Sequence, residues 1–154
     1  MNRVDAIPTP TVDRFEEWRQ HWLILFCSAV GASMAMMAVG SLGVFLLPIQ
    51  HDFGWSRAQI SAGFTIYAIV GVVGAPVIGR FIDRFGARKI GIGGAVTEGI
   101  AFALFALATG SVASWFVLWV IFSIATQGTR PVVWTAAVSG WFDKGRGPAM
   151  AIVF

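Results

Sequence analysis

The 154-residue chain is 56% hydrophobic and 12% charged, with a mean hydropathy of +0.74, whereas soluble domains carry about 25% charged residues. This excludes an ordinary soluble domain and points to a membrane protein. The formal charge of +3 is scattered in short stretches between apolar runs and builds no basic face, which argues against a nucleic-acid partner.

Residues 1–21 read as a polar tail, broken by Pro8 and Pro10, and the apolar run behind it begins too late and lasts too long for a secretory signal. Phe15, Trp18, Arg19 and Trp22 predict a short amphipathic turn at the lipid headgroups. The first span is expected over residues 22–47, ended by Pro48, with glycines and serines that suit close packing. Cys27, the only cysteine, lies within it and rules out an intrachain disulfide. A loop carrying His51 and Asp52 follows. Ser56 and Gln59 then form a capping box, with Trp55 placed to staple onto Ile60, and start a second span over 57–78.

Gly71, Ala75 and Gly79 on the second span, and Gly91, Ala95, Gly99 and Ala103 on a third span over 90–109, recur every four residues. They predict two small-residue stripes packed face to face. A fourth span is expected over 115–138, with Trp115 and Trp119 at its outer rim and Trp141 at its inner rim. The loop after Trp141 carries Asp143, Lys144 and Arg146, and Pro148 suits the first turn of a fifth helix. That helix is cut off at Phe154, so the chain reads as a truncated bundle with its carboxy-terminal helices missing.

Lys and Arg residues set the expected orientation. Three lie in the tail, four in 79–89 and two after Trp141, against Arg57 alone on the other side. This predicts a cytoplasmic amino terminus in the cell (inner) membrane.

Two ionisable residues fall deep in the spans, Glu98 and Arg130, each roughly 12 Å from the cytoplasmic end of its helix. There a charge costs several kcal/mol unless paired or hydrated. One reading pairs them. The other places Ser123, Gln127, Arg130 and Trp134, spaced four, three and four apart, on one polar face lining a water-filled anion site, with the helix kinked by Gly128 and Pro131. With one glutamate and no histidine, the spans lack the groups for catalysis. His21 and His51 have no second ligand at metal spacing, and no cofactor is expected.

Gly79, Asp83, Arg84, Gly86, Arg88 and Lys89, within a stretch read as a tight cytoplasmic hairpin turned by Gly86, match the defined positions of the loop motif between helices 2 and 3 of the major facilitator superfamily. The chain therefore resembles an all-α membrane protein of that superfamily: four complete transmembrane helices and the start of a fifth, part of an amino-terminal six-helix bundle, with residues 22–154 as its membrane portion. The resemblance implies secondary active transport by alternating access. It also implies a gating role for the six motif residues, with Asp83 as an inner latch, and a fourth helix that lines the cavity. The stretches 141–151 and 53–60 are similar to helix entries of monocarboxylate-porter-type members, and a prokaryotic oxalate/formate-type carrier fits best. That implies a small anionic substrate, for which the candidate binding residues are Arg130, Gln127, Ser123, Trp134 and Glu98; the resemblance makes the third helix peripheral and so favours Arg130 over Glu98. Ile124 stands where many members have arginine. A proton-coupled exporter of hydrophobic cations and a self-contained four-helix membrane interaction protein are the alternatives.

Overall fold

In lipid every backbone N–H and C=O must be satisfied within the chain, so long apolar runs become helices. The computed structural model describes the backbone of residues 14–142 and 145–154 and, within these, all side chains but those of 14–17, 37, 38 and 42. It holds helices and no strand among the described residues. The tail residues 1–13, and Asp143 and Lys144, lie outside the described residues. Four segments are long and apolar enough to cross a membrane: Trp18–Phe53, Arg57–Phe85, Ala87–Leu107 and Val112–Ser139.

Helix α1 (Arg14–Phe53) is longer than the sequence suggests at both ends. It takes in residues 14–21, expected as tail, and runs through Pro48. A proline this close to a helix end removes only the hydrogen bond to the Val44 carbonyl. The stop comes instead at Gly54, whose φ of 68° turns the chain while its N–H reaches the Gln50 carbonyl at 3.0 Å. His51 and Asp52 accordingly sit on the last helical turn, 3.5 Å apart, and not in a loop.

Helix α2 (Arg57–Phe85) starts on the expected capping box, with Gln59 N–H donating to Ser56 Oγ at 3.2 Å and Ser56 N–H to Gln59 Oε1 at 2.9 Å. Helix α3 (Ala87–Ala103) follows after a single residue, so the stretch 79–89 is no hairpin loop. It consists of the end of α2, Gly86, and the first turn of α3. Gly86 has φ 84° and ψ 144°, a conformation open to glycine and strained for other residues. Gly86→Ala should cost about 1–3 kcal/mol, read as a lowered thermal midpoint in detergent; an unchanged midpoint would show that the junction relaxes freely.

The third span closes with a 3₁₀ turn, Leu104–Leu107. The fourth is two helices, α4 (Val112–Ala125) and α5 (Pro131–Ser139), separated by the 3₁₀ turn Thr126–Thr129. Helix α6 (Arg146–Val153) begins two residues before Pro148.

The outer surface is apolar, unlike that of a soluble protein, and several polar residues are buried with the apolar core. Val72, Val44 and Ile100 are exposed, while Ser28, Glu98, Ser123, Thr126 and Thr129 are buried. Such a surface belongs in lipid. Inside, two apolar clusters stand apart. One gathers Trp55, Ile60, Ala101, Trp115, Trp119 and Phe122, so Trp115 and Trp119 are core residues and not rim anchors. The other holds Leu25, Trp134, Val138, Phe142, Ala149 and Val153. Trp141 is exposed next to His21, with ring centroids 5.1 Å apart. Along the fourth span, the polar residues from Ser123 to Arg130 lie between the two clusters.

The glycine stripes do not face each other. On α2, Gly63 lies against the Trp119 indole, Gly71 against the Arg130 guanidinium and Gly74 against the Gln127 amide. On α3, Gly91 meets Trp134 and Gly94 meets the backbone of Gly128, while Gly79 and Gly99 border open space. The small residues of both helices thus make room for the fourth span.

Candidate functional site: the broken fourth span

Pro131 explains the break. Its ring disfavours helical backbone at the preceding residue, and Arg130 is extended, with φ −62° and ψ 154°. Pro131 also has no N–H to offer the Gln127 carbonyl. Side chains satisfy the neighbouring carbonyls instead. The Thr126 hydroxyl donates to Ser123 O at 3.1 Å, the Gln127 amide to the same oxygen at 2.8 Å, and the Trp134 indole to Thr129 O at 2.7 Å. The break is therefore built in, with polar side chains from both sides holding it.

Because the turn differs from a regular helix, Ser123, Gln127, Arg130 and Trp134 do not share one open face. Ser123 is buried and its hydroxyl donates to Trp119 O. Trp134 is sealed between Gly31 of α1 and Gly91 of α3. Gln127 lies in the floor of a groove of about 940 Å³ between α2 and α3, with its Oε1 unpartnered. That groove is otherwise walled by apolar residues such as Ile69, Val73, Ile100 and Ile121, with Lys89 at one end, and it does not reach Arg130.

Arg130 is half-buried against α2. Its Nη2 donates to the Tyr67 carbonyl at 3.4 Å, its guanidinium carbon stands 4.9 Å from the centre of the Tyr67 ring, and its Nε has no partner. The ring gives a cation–π contact, and the bare flank at Gly71 admits the guanidinium. Tyr67 and Gly71, one turn apart on α2, are the site residues that sequence reasoning missed; a lone tyrosine four residues before a glycine in an apolar helix was the available signal.

Glu98 is buried to 2% exposure on α3. The polar group reaching toward its carboxyl is the Thr129 hydroxyl, but that hydroxyl donates to Thr126 O at 3.1 Å, and both carboxyl oxygens are left without a partner. Glu98 and Arg130 form no ion pair here: they lie on different sides of the break, the one against Thr129 and the other against Tyr67. No group of metal-ligating side chains gathers among the described residues.

Residues 22–154 match the sequence profile of the Major Facilitator Superfamily. The chain belongs to that superfamily. It is 29% identical over 135 residues to the uncharacterized MFS-type transporter YcxA of Bacillus subtilis, covering 88% of this chain and 33% of YcxA. It is 31% identical over 75 residues to the uncharacterized MFS-type transporter YfiU of the same organism, covering 49% of this chain and 14% of YfiU. The chain thus spans a third or less of the length of these relatives. No solved structure matches it.

This major facilitator chain is a multi-pass, all-α membrane protein. Its motif residues Asp83, Arg84, Arg88 and Lys89 are exposed, and none forms an ion pair with another described residue. Arg84 lies over the Phe85 ring at 5.5 Å.

Proposed function

We propose that the protein is a secondary transporter that moves a small carboxylate by alternating access, with Arg130 as the cation that holds the anion. The observation that carries this reading is the state of Arg130. It lies within a span, at a built-in helix break, with one long hydrogen bond and its Nε free. A guanidinium with donors to spare suits a carboxylate, which it can grip with two parallel hydrogen bonds, and broken helices are where transporters of other families bind substrate. The resemblance of 53–60 and 141–151 to monocarboxylate-porter and oxalate/formate-type entries supports the same substrate class. Gln127, Ser123 and Trp134 support Arg130 through the hydrogen bonds and packing of the break. The remaining helices of a full transporter, and an amino terminus in the cytoplasm of the inner membrane, belong to this proposal; the Lys and Arg distribution supports the orientation.

The test is uptake of labelled oxalate, formate or lactate by proteoliposomes holding the complete gene product, compared with efflux of a cationic dye. Saturable uptake in which carboxylates compete supports the proposal. The unpartnered carboxyl of Glu98 favours a second reading, a proton-coupled exporter of hydrophobic cations. Dye efflux lost on Glu98→Gln, with no carboxylate uptake, would replace the first reading by the second.

The gating motif carries its own expectation. Asp83 is exposed next to the α2–α3 junction, free to meet the positive end of a helix elsewhere in the protein. Asp83→Asn should slow transport about two- to fivefold, the worth of one charge–dipole contact, with normal membrane insertion. Transport at the unaltered rate would remove Asp83 from the gate.

A further inference from the structure

The groove of about 940 Å³ between α2 and α3 has no part in the transport reading. Its α2 wall runs from Ile69 to Phe81 and its α3 wall from Lys89 to Leu104, which gives a length of roughly 18–22 Å at the helical rise per residue. One leaflet of a bilayer offers about 15 Å of hydrocarbon, half of a core of about 30 Å. The groove is therefore one leaflet deep and a little more, and the wall residues Val73, Ile100 and Ile124 are exposed along it. Its uncharged polar side chains are turned away. The Thr97 hydroxyl stays on the Gly93 and Gly94 carbonyls of its own helix, each at 3.0 Å. The Gln127 amide donates to Ser123 O, and its carbonyl oxygen is sealed against Gly74. What the groove presents over most of its length is hydrocarbon.

The surface changes at the end marked by Phe81 and Lys89. Lys89 is the one charged residue of the lining among the described residues. Arg80, Arg84 and Arg88, on the same α2–α3 junction, are exposed; Asp83 is the acid of this stretch, and none of the five forms an ion pair with a described residue. Four cations less one carboxylate leave a net charge of +3 over residues 80–89. The Phe81 ring stacks with that of Phe85, with centroids 5.9 Å apart, and the Arg84 guanidinium stands 5.5 Å from the centre of the Phe85 ring. Apolar surface and unpaired positive charge thus meet where the groove ends.

We propose that the groove seats an acyl chain of an anionic phospholipid, with Lys89 on the headgroup phosphate and the neighbouring arginines adding to the attraction. A lipid chain is apolar, flexible and one leaflet long, and it needs no hydrogen bond from the walls. Basic pockets between transmembrane helices are where anionic headgroups bind. A further helix of the protein is a poorer fit. It would cross all of the roughly 30 Å core and not two-thirds of it, and a cylinder about 10 Å wide takes up roughly 1,600 Å³ over the groove's length, more than the groove holds. A zwitterionic lipid would fill the same walls but bring its own positive group toward the cations, and a free phosphate would gain nothing from hydrocarbon. The bound lipid touches both α2 and α3 and braces the one-residue junction at Gly86, so it stabilises that arrangement by mass action. The inference requires neither a carboxylate substrate nor a particular orientation of the chain.

The test is native mass spectrometry of the complete gene product in neutral detergent, titrated with phosphatidylglycerol or with phosphatidylcholine of identical acyl chains. Phosphatidylglycerol should bind at least about fivefold more tightly, the worth of one basic residue at an anionic headgroup. Lys89→Gln should weaken phosphatidylglycerol about fivefold and leave phosphatidylcholine unchanged. Gly93→Phe, which puts a ring into the groove at a position where an added Cβ meets nothing within 4 Å, should weaken both lipids about tenfold or more, the loss of two or more buried methylenes. Glycerol phosphate, a headgroup without chains, should compete about a hundredfold less well than the lipid. Equal affinity for the two lipids, or phosphatidylglycerol binding unaltered by Lys89→Gln, would overturn the proposal. So would undiminished binding to Gly93→Phe, which would mean that another part of the protein covers the groove, and so would glycerol phosphate competing on equal terms, which would leave only an anion site. The two variants act at different points of the groove, so either decides if the other does not fold. No substrate enters these measurements, and their outcome is independent of the uptake assay.

Discussion

Arg130→Lys in the complete gene product is expected to lower carboxylate uptake about ten- to a hundredfold, the worth of a hydrogen bond to a charged group at 1.5–3 kcal/mol, with unchanged amounts of protein in the membrane. The positive charge survives this substitution, so the loss isolates geometry. Lysine offers a point charge on a flexible stem, whereas the guanidinium is a planar fork already oriented by the Tyr67 ring and carbonyl. Arg130→Gln should lose more. Adding Glu98→Gln to it should recover nothing, because the two side chains do not pair in this structure. Full uptake by Arg130→Lys would show that charge alone suffices, and recovery in the double variant would show that Glu98 and Arg130 meet in another state of the cycle.

The largest stability effect is expected at the crossing of α3 and the broken span. A Cβ on Gly94 would fall 2.5 Å from the carbonyl carbon and 2.6 Å from the Cα of Gly128. Backbone cannot rotate aside as a side chain can. Gly94→Val should therefore force the helices apart, break the packing around Glu98 and Thr129, and cost about 3 kcal/mol or more. The control is the adjacent residue: Gly93 has nothing within 4 Å of an added Cβ, and Gly93→Val should stay within about 1 kcal/mol. Thermal midpoints of the purified variants in detergent decide. Equal midpoints for the two would mean that the crossing yields, and that small residues there are not required by contact.

Several features of the chain were legible from residues alone. Length of apolar run and composition were enough for helices that cross a membrane, because lipid leaves no alternative way to satisfy the backbone. The capping box at Ser56 and Gln59, the chain reversal at Gly86 and the distortion next to Pro131 were legible too. Each is decided within a few residues, by a hydrogen bond or a steric clash between near neighbours in sequence. Even so, locality misled where a proline stood near a helix end: Pro48 lacks a donor, but the cost of one missing bond did not stop α1, and the true stop was the glycine six residues on.

What the tertiary structure decided was which residue faces which. Spacing placed Ser123, Gln127, Arg130 and Trp134 on one face, but a 3₁₀ turn and an extended residue change the rotation per residue, and the four side chains go to different neighbours. Matching depths suggested that Glu98 and Arg130 pair, but depth fixes only position along the membrane normal, and the break turns one residue toward α2 and leaves the other against Thr129. The glycine repeats on α2 and α3 announced close packing without naming the partner, which turned out to be the fourth span's Trp119, Arg130, Gln127, Trp134 and Gly128. The sequence alone determined that this is a helical membrane chain of a recognisable family, since those properties are summed over local residues. The orphaned carboxyl, the guanidinium over Tyr67 and the Gly94–Gly128 crossing depend on the rotation and crossing of whole helices, which many distant contacts set together and no single stretch encodes.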